Sequence, residues 1–130
     1  MRVWTYAEAN KTWVLSCDLA THSHPDSGCQ VNSVSWAPNM GRSFHLIASA
    51  GQDQSDQLKI HRLLRTADGV VPDGTYTPAG ADQPQGIWRA EWNATGTVLA
   101  TSGEEGAVRL WKSTFRGDFK EVQAVPTSAM

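Results

Sequence analysis

The chain has 130 residues, a net charge of −2, six Trp and eleven Gly. That length bounds one domain with a modest core. The near-neutral balance gives no general electrostatic pull toward nucleic acid or an anionic membrane, and no apolar run of about 18 residues is present to cross a bilayer.

The first residues lack the apolar core of a signal peptide. Two cysteines, Cys17 and Cys29, do not make a disulfide framework. The expectation is a reduced, intracellular compartment.

In chain order, Met1-Arg2-Val3-Trp4 matches Val108-Arg109-Leu110-Trp111 at an offset of 107. Read as a repeat, the chain starts at a third strand. Asn10-Lys11 makes a polar turn, and Thr12–Leu19 is a β-rich run. Thr21–Gln30 is a loop by composition, with Pro25, Asp26, Ser27 and Gly28 all turn formers.

Val31–Trp36 aligns with Ile87–Trp92 at offset 56, Trp36 on Trp92. Ala48–Gly51 aligns with Ala100–Gly103 at offset 52, and Leu58–His61 with Val108–Trp111 at offset 50. The falling offsets place four extra residues in Pro38–His45 and two more near Gln54–Gln57, in turns where extra length costs little. His61 stands where the later copy has Trp111, so this copy is degenerate. Leu63–Gln85 is the longest irregular stretch, with a short strand predicted around Val70–Thr77.

From Ile87 the pattern is clearest. Trp88 and Trp92 alternate with Arg89 and Glu91, a period of two that means strand. Val98–Thr101 and Val108–Trp111 follow, separated by Asn93-Ala94-Thr95-Gly96 and Gly103-Glu104-Glu105-Gly106. Short turns between such runs predict an antiparallel meander. Phe119–Val125 is a last strand, and residues 126–130 a frayed tail.

The fold class is therefore all-β: a partial WD-repeat β-propeller of about two and a half four-stranded blades. Residues 1–20 are the outer half of a blade, 31–85 a blade with a long loop, and 86–125 the last blade. A closed propeller needs at least about four blades, so the sequence reads as the C-terminal portion of a larger, open propeller whose outer blade faces lack cover. Trp36, Asp53, Trp92, Ser102, Glu105 and Trp111 are the structural repeat positions.

Three segments carry a family resemblance. Ala37-Pro38-Asn39-Met40-Gly41-Arg42-Ser43-Phe44-His45 resembles APNxGRSFH of the Seh family of WD-repeat nucleoporins. Trp88–Ala100 resembles that family's WRVSWNxTGTVLA, and Ser102–Lys112 its SGDDGxVRLWK. The resemblance implies an open six-bladed propeller completed by a blade from an α-solenoid nucleoporin. It implies a place among the other coat subunits of the Y-shaped outer ring of the nuclear pore, and a second role in a GATOR-type complex in amino-acid signalling to the TOR kinase. The locations that follow are the nuclear pore, nuclear envelope and nucleus, and the lysosomal or vacuolar surface through a partner complex. Val98, Val108, Leu110 and Trp111 of the last blade are the expected partner-facing residues. Glu104-Glu105 depart from the family's Asp-Asp, and a Glu at 105 suits the usual Asp–backbone turn less well.

Catalytic chemistry finds little support. Cys17, His22, His24 and Cys29 read C-x4-H-x-H-x4-C, which departs from the usual zinc spacing, and His-x-His on an extended chain points its rings apart. No metal and no cofactor are expected. Asp53 and Glu105 sit in matching turns of different blades, as turn-forming acids rather than a catalytic pair. Ser102 and Trp111 read as a hydrogen-bonded pair inside one blade. No nucleophile elbow, phosphate loop or His-Glu-x-x-His occurs. The six Trp alternate with polar residues and have few basic neighbours, which favours packing over base stacking. The leading expectation is a non-enzymatic scaffold with protein partners and no direct contact with nucleic acid. The alternative is a WD-repeat adaptor presenting peptides to a ligase or kinase complex.

Overall fold

A computed structural model describes residues 1–19, 31–39, 41–51, 57–67, 69–78, 86–103, 106–114 and 117–126. These hold ten strands and no helix: β1 (Arg2–Ala7), β2 (Thr12–Asp18), β3 (Val31–Trp36), β4 (Phe44–Gly51), β5 (Leu58–Thr66), β6 (Gly69–Tyr76), β7 (Ile87–Trp92), β8 (Val98–Gly103), β9 (Ala107–Ser113) and β10 (Phe119–Pro126). They form a first sheet β1-β2, a middle sheet β3-β4-β5-β6 and a last sheet β10-β9-β8-β7, antiparallel throughout. The last two are four-stranded meanders in sequence order, the blade unit of a propeller.

The repeat offsets reappear as register. Trp36 pairs with Ile47 and Trp92 with Leu99, so the β3–β4 connection is longer by four residues. Ser49 pairs with Lys59 and Thr101 with Arg109, so the β4–β5 connection is longer by two. Each first strand also slips register at the same place, between Val31 and Ser33 and between Ile87 and Arg89. A bulge at a matched position twists both sheets alike.

Two elements run longer than the sequence predicts. Strand β4 begins at Phe44, inside the expected insertion, and β5 continues through Leu63 to Thr66, inside the expected irregular stretch. Phe44 pairs with Leu64 and His45 with Leu63, so the ladder goes on while apolar partners face each other. Phe44 is also flanked by the guanidinium groups of Arg42 and Arg62, 5.8 and 4.1 Å from its ring centre.

The central strands of the middle sheet, β4 and β5, carry buried residues on both faces. Leu46, Ala48, Ala50, Leu58 and Ile60 point to the last sheet and join Ile87, Ala90, Leu99, Trp111 and Phe119 in one core. Ile47 and Leu63 point the other way and join Val3 of the first sheet and Leu19 just beyond it. Period-two alternation along β4 makes this possible, because Leu46 and Ile47 face opposite sides.

The sheets are also tied at their rims. Asn93 Oδ1 accepts from the backbone N–H of Thr97 at 2.8 Å and of Val98 at 3.1 Å, closing the β7–β8 turn. Gly96 in that turn has φ +67°. Arg42 reaches across from the β3–β4 connection and donates to Gly96 O at 3.0 Å and to Pro38 O at 2.7 Å. A Cβ at Gly96 would meet Arg42 and, at 2.7 Å, Pro38 O.

Candidate protein interface

The site is best built from what holds the middle and last sheets together. Their first strands are stitched by small polar groups. Asn32 Nδ2 donates to Ile87 O at 3.0 Å. The Ala90 N–H donates to Ser33 Oγ at 3.2 Å, and the Trp92 indole donates to Ser35 O at 3.0 Å. Beneath this seam, the apolar side chains of β4 and β5 meet those of β7, β8, β9 and β10.

Directly opposed residues in an antiparallel pair share a face. Ala100 pairs with both Glu91 and Leu110, Ser102 with Arg89 and Val108, and Val98 with Lys112. Val98, Ala100, Ser102, Val108 and Leu110 therefore share the face of the last sheet that turns away from the middle sheet. By register they match Leu46, Ala48, Ala50, Leu58 and Ile60. The middle-sheet five are buried; the last-sheet five are only half-buried. The molecule thus carries one face of a given kind covered and a second of that kind open.

Val98, Val108 and Leu110, three of the residues expected to face a partner, lie on this open face. Trp111 does not. It is 0 % exposed and points to the middle sheet, because a residue next to Leu110 on a strand must face the other way.

Ser102 also differs from expectation. The Trp111 indole donates to Thr101 Oγ1 at 2.9 Å, not to Ser102, which is on the opposite face. The matching bond in the middle sheet joins His61 Nε2 and Ser49 Oγ at 3.0 Å, with His61 Nδ1 3.2 Å from Thr75 Oγ1. His61 thus keeps the contact of the Trp it replaces. The signal lay in the alignment: Ser49 and Thr101 are hydroxyls at offset 52, one residue from the Ser singled out.

Trp36 and Trp92 each end the first strand of their sheet. Trp92 packs edge-on against Phe119 at 5.7 Å, whereas Trp36 is 48 % exposed and meets His45 at 5.3 Å. Burial, then the charges of Arg65 and Arg42, lower the His45 pKa below its ordinary value. A hollow of about 560 Å³ opens beside these rings, walled by Trp4, Tyr6, Trp36, His45 and Arg65, with no carboxylate among the described residues of its lining.

Asp53 and Glu105 lie outside the described residues, as do His22, His24 and Cys29. Cys17 packs half-buried against the core formed by Val3, Leu19, Ile47 and Leu63, and burial, then Asp18, raise its pKa. Among the described residues no group of three His, Cys, Asp or Glu could hold a metal ion, and no helix is long and apolar enough to cross a membrane.

With this geometry in place, similarity to known proteins is informative. Nucleoporin SEH1-B of Xenopus laevis is 34 % identical over 123 residues, covering 92 % of this chain and 33 % of that protein. By sequence, the chain is similar to the SEH1 nucleoporins. Human Nucleoporin SEH1 matches at the same 34 % over 123 residues, again 92 % of this chain and 33 % of the relative. Protein SEH1 of Arabidopsis thaliana is 30 % identical over 120 residues, 92 % of this chain and 36 % of the relative. The chain thus spans about a third of the length of the curated SEH1 relatives it matches. Among solved structures, Sqt1 of Saccharomyces cerevisiae aligns with TM-score 0.48 and 16 % identity, over 74 % of this chain and 23 % of that one. No family model matches the chain.

Proposed function

We propose that the chain is part of a non-enzymatic scaffold in the outer-ring coat of the nuclear pore. There its last sheet receives a β-blade donated by an α-solenoid nucleoporin. The observation that carries this reading is the open face of β7–β10. Its five positions match five buried ones, so it is built for cover by another sheet. Fully burying an exposed large apolar side chain is worth roughly 1.5–3 kcal/mol, and Val98, Val108 and Leu110, half-buried already, each offer a partner blade the remaining part of that gain. The relationship to SEH1 nucleoporins supplies the setting, with nucleocytoplasmic transport as the process served. A GATOR-type complex is the second setting the family resemblance suggests, and the same face would serve there.

Affinity capture with the full-length protein tests the reading. Pore-coat subunits should be recovered, and Leu110→Asp should lose them. Recovery of a ligase or kinase complex in their place, indifferent to Leu110→Asp, supports the adaptor instead.

A further inference from the structure

The covered and open faces differ sharply at one place. On the covered face, the first strand presents Asn32, Ser33 and Ser35, the groups that stitch the middle sheet to the last. At offset 56 the same positions are Trp88, Arg89 and Glu91, and the register sets Arg89 and Glu91 on the open face opposite Ser102 and Ala100. Trp88 is 40 % exposed, and the Arg89 and Glu91 side chains are 74 % and 67 % exposed. Arg89 Nη2 and Glu91 Oε1 are 2.9 Å apart and lie along the strand. They wall a hollow of about 320 Å³ floored by Ala100 and Ser102 and bounded by Val108.

The corresponding floor on the covered face is Ala48 and Ala50, which pack in the core with Ile87 and Ala90 of the neighbouring first strand. That strand approaches closely because Ser33 and Ser35 are short. Arg89 and Glu91 are long and charged. A strand with the β7 pattern would bury both without new partners. Their single mutual contact uses one donor of a guanidinium that has five, and one oxygen of the carboxylate. Covering the pair without further hydrogen bonds carries a desolvation penalty that a lone contact does not repay.

We infer that Arg89 and Glu91 are specificity-determining residues of the open face. They select a partner strand with an acid opposite Arg89, a base opposite Glu91, and a small apolar residue between them over Ala100 and Ser102. They reject a strand of the kind that seals the interior seam, which offers an alanine and an indole where countercharges are needed. This rests on the reading of the open face as a docking surface, but its chemistry is separable from the identity of the complex.

The test uses a displayed library of β-hairpin peptides. The small central residue is fixed, and the residues on either side vary among Asp, Glu, Lys, Arg, Ser and Ala. Selection against the full-length protein should enrich acid at one flank and base at the other by at least tenfold over Ser or Ala. The Arg89→Glu/Glu91→Arg double variant should invert the preference. Arg89→Ser/Glu91→Ser should erase it and favour Ser or Ala flanks. Both variants change exposed residues, and an unchanged melting temperature checks that they fold. Flank composition indifferent to the charge reversal overturns the inference. So does enrichment of β7-like hairpins by the wild-type chain. Pore-coat capture that survives the reversal, with no change in flank preference, sinks this inference and spares the scaffold reading. Charge-dependent selection without any pore-coat capture sinks the scaffold reading and spares this one.

Discussion

His61 and Trp111 hold the same place in successive sheets. Each is fully buried, and each ring bonds a hydroxyl on the neighbouring strand, Ser49 or Thr101. The two residues differ in size and aromatic system but share a ring nitrogen at a similar reach. What the position requires is a buried ring that satisfies the central strand's hydroxyl.

Trp111 should therefore separate volume from hydrogen bonding. Trp111→Phe keeps most of the ring and leaves Thr101 Oγ1 without the indole, at a cost of about 1–3 kcal/mol. Trp111→Ala adds a cavity and should cost about 3–5 kcal/mol. His61→Phe removes contacts to both Ser49 and Thr75 and should cost about 1–3 kcal/mol. Urea unfolding of the full-length protein measures all three. Equal losses for Phe and Ala at position 111 would show that the cavity counts for nothing.

The blade pattern was legible because strands announce themselves by alternation, and copies by constant offsets. Even the two insertions could be sized, since β pairing preserves residue counts between turns. Faces were harder to assign. Thr101 and Ser102 are both small hydroxyl residues, and nothing in either name says which looks inward. A one-residue choice flips the side of the sheet, which is why the bond expected between Trp111 and Ser102 lies at Thr101 and why Trp111, next to Leu110, turns inward. The extended ladder at Phe44 and Leu63–Thr66 was hidden for another reason. Its apolar residues make sense only once paired across strands.

Gly96 offers a second test. Its φ of +67° lies where an L side chain is disfavoured by about 1–2 kcal/mol. A Cβ there also runs into Arg42 and Pro38 O. Gly96→Ala should destabilise by more than the backbone term alone. In an Arg42→Ala background the same change should cost less, because one of the two obstructions is gone. Strict additivity in the double-mutant cycle would show that Arg42 does not press on Gly96.

His45 should give stability a pH dependence of known sign. Its folded pKa lies below the ordinary value of 6.5, through burial and the charges of Arg65 and Arg42. The unfolded chain therefore binds the proton more readily. The contribution of this residue is fully present above about pH 6.5 and is lost as pH falls through the folded value. His45→Gln should remove that part of the acid destabilisation, so its melting temperature should fall less steeply below pH 6.5. A steeper fall in the variant would mean the sign is wrong.

The sharpest contrast pairs Ile60 with Leu110, which occupy matching positions on faces of the same kind. Ile60 is 0 % exposed and sits between two sheets. An Asp there would be a charge without a partner in an apolar seam, and several kcal/mol of penalty should unfold a protein of ordinary ~5–15 kcal/mol stability. Leu110 is half-buried on the open face, where water still reaches. Leu110→Asp should cost only about 1 kcal/mol, because its charge stays solvated. Partner capture should nonetheless fail, since any covering sheet must then desolvate that carboxylate. The experiment measures melting temperature and partner recovery for both variants in the full-length protein. If Leu110→Asp melts as early as Ile60→Asp, the face is already covered from within the polypeptide. If it melts near the wild type yet still captures the partner, docking takes place elsewhere.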